Sequence, residues 1–301
     1  MAVITTGSHP KALWPGVKKW WGTEYARKEP VWKQIFDVST SDQMYEEDVE
    51  SVGFGLLQTK AEGAGIAYDT AQQGTVSRYT HVTYALGYIV TMEQLMDNLY
   101  EKVSFKQASK LARSTYETEE TVHANVLNRG FNSSYTGGDG IELFSTAHPT
   151  ASGTQSNHLT TAADLSESSM EDMAIQVMNF TDSRGLRFNA RVKRLILPNN
   201  LAFDAARILK SVQQNDTANN AINALKAMGT VPETVVWSHL TDTDAWFMQT
   251  DCQDGLTHYT RMAATLEKDS DFDTSNAKAK TVARWSQGWS NFRGCIASPG
   301  A

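Results

Sequence analysis

Cysteine is scarce in this sequence: Cys252 and Cys295 are the only two among 301 residues. Two cysteines so far apart neither build a disulfide framework nor form a thiolate metal site, and their scarcity is typical of a reducing compartment. The chain also lacks an apolar run near the roughly 20 residues that a membrane-spanning helix needs. Its first residues lack the basic head and apolar core of a signal peptide. We therefore expect a protein that stays soluble in the cytoplasm where it is made and has no membrane partner.

Positive charge is not in excess, because 27 Lys and Arg stand against 34 Asp and Glu, a net charge of −7 with a pI near 5.5. Proteins that hold nucleic acid through their own surface usually show a basic balance. Any contact with nucleic acid is therefore expected to be loose and local. The hydrophobic content of 41% predicts an ordinary folded chain with one large or two modest cores.

Catalytic motifs are missing as well: the sequence has no G-x-S-x-G, P-loop, G-x-G-x-x-G or H-E-x-x-H. Residues 269–273 resemble the start of a calcium loop, but Thr274 replaces the glycine and Lys280 the glutamate that such a loop needs. Cys252 and His258 are separated by a polar turn, which gives no reason to pair them as nucleophile and base. The seven histidines are scattered, which favours surface or hydrogen-bonded core roles. The sequence therefore predicts no catalytic residue, no cofactor and no metal site.

Large aromatic side chains are concentrated in residues 1–48, where prolines at positions 10, 15 and 30 permit only short helices. Leaving so many aromatic rings in water is costly. Two interpretations remain open: the rings pack on their own chain, or the segment is an extended arm that covers a neighbouring subunit. The aromatic residues are Trp14, Trp20, Trp21, Tyr25, Trp32, Phe36 and Tyr45.

The next segment, residues 51–90, reads as a long β-hairpin. Leu56–Lys60 leads into the glycine-rich stretch 62–65, and residues 75–84 alternate with the period of a strand. Neither face of the hairpin is clearly apolar, and a hairpin without a dry face is unstable alone. We therefore predict that it lies against another sheet or another molecule.

Residues 91–130 predict a long helix, with a capping-box pattern at Thr91 and Gln94 and an apolar stripe that begins at Leu95. The pattern ends at Arg129 and Gly130, a cation followed by a C-terminal cap glycine. A continuous helix of this length spans about 60 Å. Few globular domains need so long a helix, whereas elongated ones do.

The remaining chain predicts a mixed α+β organisation. A helix follows a cap formed by Ser168 with Glu171, and a second helix covers 200–212 with Val212 facing inward. The predicted strands are Arg191–Leu197, Thr234–Trp237, Ala245–Met248, Tyr259–Leu266, Ala277–Trp285 and Phe292–Ile296.

Several segments, in this order and spacing, carry a family resemblance. They are ALWPGVKKWWGTEY (Ala12–Tyr25), YEEDVESVGFG (Tyr45–Gly55), EGAGIAYDTAQQG (Glu62–Gly74), YTHVTYALGYIVT (Tyr79–Thr91), GDGIELFSTAHP (Gly138–Pro149), RLILPNNLAFDAARIL (Arg194–Leu209), LTDTDAWFM (Leu240–Met248) and the stretch Arg261–Trp289. Together they resemble the major head subunits, or major capsid proteins, of tailed bacteriophages, in particular the Mu-like branch of the Hong Kong 97-type capsid fold.

The resemblance implies an α+β Hong Kong 97-type fold built of five parts. These are an N-terminal arm (1–48), an extension-loop β-hairpin (49–90), a peripheral domain with a long spine helix (91–163), an axial domain (164–265) and returning strands of the peripheral domain (266–301). Some relatives cross-link their subunits from a lysine on the extension loop, a position that Lys60 matches. Lys278 and Trp285 stand near the required asparagine and glutamate, so we expect no cross-link.

The resemblance further implies a shell subunit that forms hexamers and pentamers around double-stranded DNA in a phage head. The expected partners are copies of itself, scaffold and portal proteins, the packaged DNA in loose contact and a decoration protein. An encapsulin-like bacterial nanocompartment shell is the second interpretation, and a soluble enzyme with converging titratable groups is the third. The predicted inter-subunit contact residues are Trp14, Trp20, Trp21, Lys60, Glu62, Tyr68, Arg78 and Tyr79.

Overall fold

The chain contains two four-stranded sheets and two two-stranded pairings. The structure is a computed structural model that describes residues 14–91, 93, 100–213, 221–271 and 276–301. The helices are α1 (Trp14–Tyr25), α2 (Trp32–Ile35), α3 (Tyr100–Asn128), α4 (Glu167–Met178), α5 (Ala202–Lys210) and α6 (Ala224–Met228). The strands are β1 (Asp37–Thr40), β2 (Tyr45–Val52), β3 (Gln72–Thr80), β4 (Val82–Val90), β5 (His148–Thr150), β6 (Gly153–Gln155), β7 (Val192–Leu197), β8 (Thr234–Val236), β9 (Trp246–Thr250), β10 (Leu256–Ser270), β11 (Ala277–Trp289) and β12 (Cys295–Ser298).

The sheet with strand order β12-β9-β7-β8, here called the central sheet, is buried on both faces. Side chains alternate across it as the pleat requires. Leu195, Leu197 and Met248 pack with the buried face of α4, while Ile196 and Phe247 pack with the C-terminal half of α3 and with α2. An apolar run such as residues 194–197 is what a strand covered on both faces needs.

The second sheet, the long-strand sheet, has the order β1-β10-β11-β4. Its two longest strands, β10 and β11, pair antiparallel over 15 and 13 residues, whereas β1 runs parallel to β10. Strands longer than about 10 residues are uncommon in compact domains. This sheet therefore gives the molecule an elongated element beside the central sheet.

Helix α3 runs without a break through Val103 and Ser104 and ends at Asn128. Its 29 residues span about 43 Å. The predicted cap pairs Thr91 with Gln94, and Gln94 lies outside the described residues. The helix ends before Gly130, as predicted, but that glycine does not have a positive φ. It is needed for close packing instead, because a Cβ there would lie 2.5 Å from the ring of Phe144.

Three of the N-terminal aromatics, Trp21, Trp32 and Phe36, are buried on their own chain, whereas Trp20 is 54% exposed. Trp32, Ile35 and Phe36 are buried in the core between α3 and the central sheet. Trp21 packs against the N-terminal half of α3, in a cluster with Leu111. These side chains bury their apolar area within the same subunit, which is the first of the two interpretations, and the assignment of residues 1–48 as an N-terminal arm stays a proposal.

Three further expectations are corrected. Helix α4 is capped by Ser166 in a capping box with Ser169, two residues before the predicted cap. Val212 lies past the end of α5 and is 68% exposed, since the helix stops at Lys210. Strand β12 pairs with β9 in the central sheet, so the last residues do not join the long-strand sheet as expected.

Asn157 joins three separate segments through one buried side chain. The two N–H groups of its amide nitrogen are shared among the carbonyl oxygens of Leu143, Phe292 and Cys295, which lie 2.6, 3.0 and 3.0 Å from that nitrogen. Its amide oxygen accepts from the backbone N–H of Ser145 at 3.0 Å. We expect Asn157→Ala to lower the free energy of unfolding by about 3 kcal/mol or more, because it orphans several buried polar groups. Urea denaturation measures this, with the exposed Asn200→Ala as the control that stays within about 0.5 kcal/mol of wild type.

Candidate assembly surface

The hairpin formed by β2 and β3 projects a long tip, residues 53–71, that makes no strand pairing. The prediction of a hairpin is confirmed, but its strands are Tyr45–Val52 and Gln72–Thr80. The segment 56–60 is not a strand, and residues 82–90 leave the hairpin for the edge of the long-strand sheet. The glycine-rich sequence of the tip favours an unpaired conformation, because it has no alternating apolar face against which a second strand could pack.

Polar contacts hold the base of the tip. Arg184 donates from Nε to the carbonyl oxygen of Gly53 at 3.0 Å and from Nη2 to that of Thr70 at 2.6 Å. Asp69 accepts from the N–H of Gly55 at 2.9 Å, and the backbone N–H groups of Gly55 and Thr70 lower the pKa of its carboxyl group. The two ends of the tip are thereby clamped together while the stretch between them stays in solvent.

Apolar side chains crowd this solvent-exposed tip. Leu57 is fully exposed, Tyr68 is 89% exposed and Leu56 is 80% exposed. Phe54 and Ile66 are also mostly exposed. A soluble monomer seldom presents a contiguous apolar patch of this kind, and such patches mark interaction sites. The tip is therefore the first candidate for a surface that another molecule covers.

The clamp at Arg184 gives a direct test of how the tip is held. We expect Arg184→Ala to speed trypsin cleavage after Lys60 several-fold, because the tip loses hydrogen bonds that restrict its opening. The melting temperature should change little, since the lost contacts lie at the surface. Arg187→Ala, three residues away and exposed, is the control and should cleave as the wild type does. Equal cleavage rates in both variants would show that Arg184 does not hold the tip.

A second set of exposed apolar side chains lies on β4, with Val82 and Leu86 on one face of the strand and Ile89 on the other. This strand is an edge of the long-strand sheet in the described chain, because it pairs with β11 alone. Val82, Leu86 and Ile89 are each about half exposed or more. Native proteins usually protect such edges. Neither these β4 residues nor the tip residues Leu56, Leu57 and Phe54 are among the predicted contacts. For the tip, the signal available in the sequence was a group of apolar residues in a segment without strand or helix period.

The predicted contact residues do not come together in one place. Lys60, Glu62 and Tyr68 lie exposed on the tip, and Trp20 is 54% exposed on α1. Trp14 is in α1, where its side chain lies outside the described part of the structure.

The other three predicted residues engage their own chain. Arg78 forms a 2.7 Å ion pair with Glu47 across the hairpin, and Trp21 stacks on Tyr25. Tyr79 is buried and shares a 2.5 Å hydrogen bond with Ser290, and burial raises its pKa. Trp21 and Tyr79 therefore have a packing role in the subunit, since their rings have no exposed face to offer.

A cleft of about 660 Å³ beside the hairpin base is the place to look for enzyme chemistry. Cys252 lines it, but burial raises the pKa of its thiol, which disfavours the reactive thiolate. His258 is not its base, because both ring nitrogens already bond, to His123 at 2.8 Å and to Thr260 at 2.8 Å. Within the described ranges no group of three or more His, Cys, Asp or Glu residues is placed to hold a metal. The cleft therefore offers no activated nucleophile among the residues described.

Comparison with known proteins identifies the family. Residues 74–298, about three quarters of the chain, match the family described as phage capsid protein. The hairpin tip lies outside that match. Among curated protein sequences none matches this chain. None of the described helices combines the length and apolarity needed to cross a bilayer.

Solved capsid structures share the fold at low sequence identity. The capsid of the cyanophage P-SCSP1u has 11% identity and a TM-score of 0.57, over 91% of this chain and 89% of that chain. A chain of Mycobacterium phage Adephagia has 9% identity and a TM-score of 0.55, over 91% of both. The virus-like particle from Pyrococcus furiosus has 9% identity and a TM-score of 0.58, over 94% of this chain and 98% of that one. The chain therefore belongs to the phage capsid protein family and has the Hong Kong 97-type capsid fold.

Proposed function

We propose that this protein assembles into hexamers and pentamers that close into an icosahedral phage head around double-stranded DNA. The observation that carries the proposal is the hairpin tip: Leu56, Leu57 and Tyr68 are almost wholly exposed on a segment clamped at both ends by Arg184. A monomer gains nothing from exposing these side chains, whereas a neighbouring subunit that covers them gains their burial.

The energy at stake is large enough to drive association. Fully burying a large apolar side chain contributes roughly 1.5–3 kcal/mol, so five such residues on the tip supply on the order of 10 kcal/mol per contact. Part of this is offset by the lost freedom of the two partners. Because a tip that docks on the next subunit is a head-to-tail contact, repetition closes a ring. Rings of five and six then differ only in the angle between neighbours.

The division of the chain into five parts is also a proposal, and it assigns the exposed tip the role of the subunit contact. The tip would act as the extension loop, α3 as the spine helix, and the unit of α4–α6 with the central sheet as the axial domain. Trp20, Lys60, Glu62 and Tyr68 remain the proposed contact residues, now joined by the neighbouring exposed apolar residues of the tip. Scaffold and portal proteins are the further proposed partners, with assembly in the host cytoplasm and residence in the virion.

An encapsulin-like nanocompartment shell is the second candidate. The similarity to the virus-like particle from Pyrococcus furiosus supports it, since that chain is matched over nearly its whole length. The two candidates use the same subunit contacts and differ in their contents. A phage head holds DNA and a nanocompartment holds protein cargo.

Negative-stain microscopy of the purified full-length protein tests the assembly proposal. We expect closed shells or capsomer rings whose fraction rises with protein concentration. A protein that stays monomeric by light scattering at every concentration, with no rings in the images, would contradict it. Analysis of shell contents then separates the candidates, because packaged DNA supports the phage head and a co-purifying enzyme supports the nanocompartment.

A further inference from the structure

Positive charge is segregated in this acidic chain. Residues 1–36 contain six Lys and Arg but two Glu, a net charge of +4, whereas the whole chain carries −7. The described part of α3 adds Lys106, Lys110 and Arg113. These two regions, far apart in sequence, meet in the fold.

Helix α1 packs directly on α3. Trp21 and Leu111 share one buried cluster, and Tyr25 donates from Oη to Oε1 of Glu119 at 2.5 Å. Tyr25 therefore lies beside the middle of α3, and α1 begins toward its N-terminal half. This arrangement brings Lys18 and Lys19, one turn before Trp21, to the same end of the helix pair as Lys106.

On α3 the basic residues form a stripe. Lys106, Lys110 and Arg113 are exposed at i, i+4 and i+7, the spacing of one helical face. Ala108, Leu111 and Ala112 fill the opposite, buried side. We call the exposed basic residues Lys18, Lys19, Lys106, Lys110 and Arg113 of this helix pair the basic ridge.

Most of the charge of the basic ridge is uncompensated. Lys18, Lys19, Lys106 and Lys110 form no ion pair with any other described residue. The carboxylates nearby already have partners: Glu24 pairs with Arg27 at 3.1 Å, and Glu117 lies 3.8 Å from Arg113 and accepts a bond from His239. Only Glu29, exposed just after α1, remains as an opposing charge on this segment.

The basic ridge differs from the apolar tip in the partner it suits. Protein interfaces have an apolar core and are depleted in lysine. Among the described side chains of α1 and α3, Trp20 is the single exposed large apolar residue. Exposed, unpaired ammonium groups on flexible side chains instead suit a polyanion, which needs point charges and no shape-matched pocket.

We propose that the basic ridge is the surface through which the shell contacts the phosphate backbone of its double-stranded DNA. This rests on the proposed function, and it identifies which face of the subunit turns toward the genome. Lysine contacts to phosphate carry no sequence information, so the contact is non-specific. A few positive charges per subunit, in a chain that is acidic elsewhere, hold DNA weakly and leave it mobile. The contact becomes extensive because many subunits of the shell repeat it.

Fluorescence anisotropy of a labelled 20-base-pair duplex, titrated with unassembled full-length protein from 50 to 200 mM NaCl, tests the proposal. The ridge variant is Lys18→Gln, Lys19→Gln, Lys106→Gln and Lys110→Gln combined. The matched control, with the same change of net charge, combines Arg187→Gln, Arg191→Gln, Lys193→Gln and Lys210→Gln, all exposed on the unit of the central sheet.

We expect the ridge variant to bind at least about tenfold more weakly at 100 mM NaCl and to lose about 3 to 4 from the slope of log affinity against log salt, while the control changes by less than half as much. Equal losses in the two variants would mean that only net charge matters and would overturn the proposal. So would a ridge variant that binds duplex as the wild type does but no longer forms shells, because the ridge would then contact protein. Microscopy of the wild type reports separately on shell formation, so failure of the proposed function is distinguishable from failure of this inference.

Discussion

A subunit whose residues 57–67 are replaced by two glycines is expected to remain folded and to lose all shell formation. The shortcut is available because the N–H of Gly55 lies 2.9 Å from Oδ2 of Asp69, so the two ends of the tip already meet. The removed segment contributes no residue to the buried clusters of the described chain. A shorter loop also costs slightly less entropy to close. Assembly should fall by orders of magnitude, since the deletion removes Leu57 and Ile66 and shifts Tyr68.

Sedimentation and negative-stain microscopy measure the assembly, and thermal unfolding measures the fold. The matched control is Gln58→Ser with Thr59→Ser, which changes exposed polar residues on the same tip but keeps its apolar side chains. We expect that control to assemble with at most a modest change in yield, because exposed polar substitutions away from the apolar contact contribute little. If the deletion unfolded the subunit, the tip would belong to the monomer fold and the proposed function would lose its main support.

Acidification is expected to destabilise the subunit through a pair of buried histidines. Nδ1 of His123 donates to the carbonyl oxygen of Glu119 at 2.6 Å, so its Nε2 must accept from Nδ1 of His258 at 2.8 Å. Trp32 stacks on the ring of His123 at 4.1 Å. Burial lowers the pKa of His123 to about 4 and that of His258 to about 3. A proton added to Nε2 of His123 places two N–H donors face to face where α2, α3 and β10 meet, and burial disfavours a proton on His258.

The direction of the pH effect follows from proton uptake. The unfolded chain protonates both histidines near pH 6.5, whereas the folded chain resists until about pH 4 and pH 3. Stability is therefore fully present above pH 6.5 and is lost as the pH falls toward 3. The pair should cost roughly 3 kcal/mol between pH 6.5 and 5. The surrounding charges are Lys33 on α2 and His81, both of which disfavour protonation of His258, and Glu119, whose pKa is raised by burial.

Urea denaturation at a series of pH values and a fixed protein concentration measures this loss. His258→Asn is the informative variant, because its amide can still donate to His123 but cannot titrate. The difference between the two proteins removes contributions that they share, including that of Glu119. We expect about half of the pH-dependent loss between pH 6.5 and 5 to disappear in the variant. Identical pH profiles would show that the histidine pair does not govern acid stability.

The sequence alone predicted the parts whose signal is local. Arg191–Leu197 was predicted as a buried strand because apolar residues follow one another there up to Pro198, and β7 has nearly these bounds. The long helix was predicted from its apolar stripe, and its end at Asn128 was found within two residues. The family was identified from the order of several segments, and the match over residues 74–298 confirms it.

Burial and partner choice, in contrast, depend on residues far apart in the chain. No local pattern indicates that Trp32 stacks on His123 or that Tyr79 bonds to Ser290, and both rings are core. The same limit hid the exposed apolar tip, since the sequence pattern indicates only that its residues belong to the hairpin. The basic ridge was invisible for a related reason, since net charge averages over the whole chain.

The fold class, the long helix, the buried strand and the family follow from the sequence, because propensity, periodicity and segment order are properties of neighbours along the chain. The choice of core aromatics, the exposure of the apolar tip and the packing of basic α1 on basic α3 depend on the three-dimensional fold. The physical reason is that burial and electrostatic potential depend on distances in space, and those are fixed only when α1, α3 and the two sheets pack together.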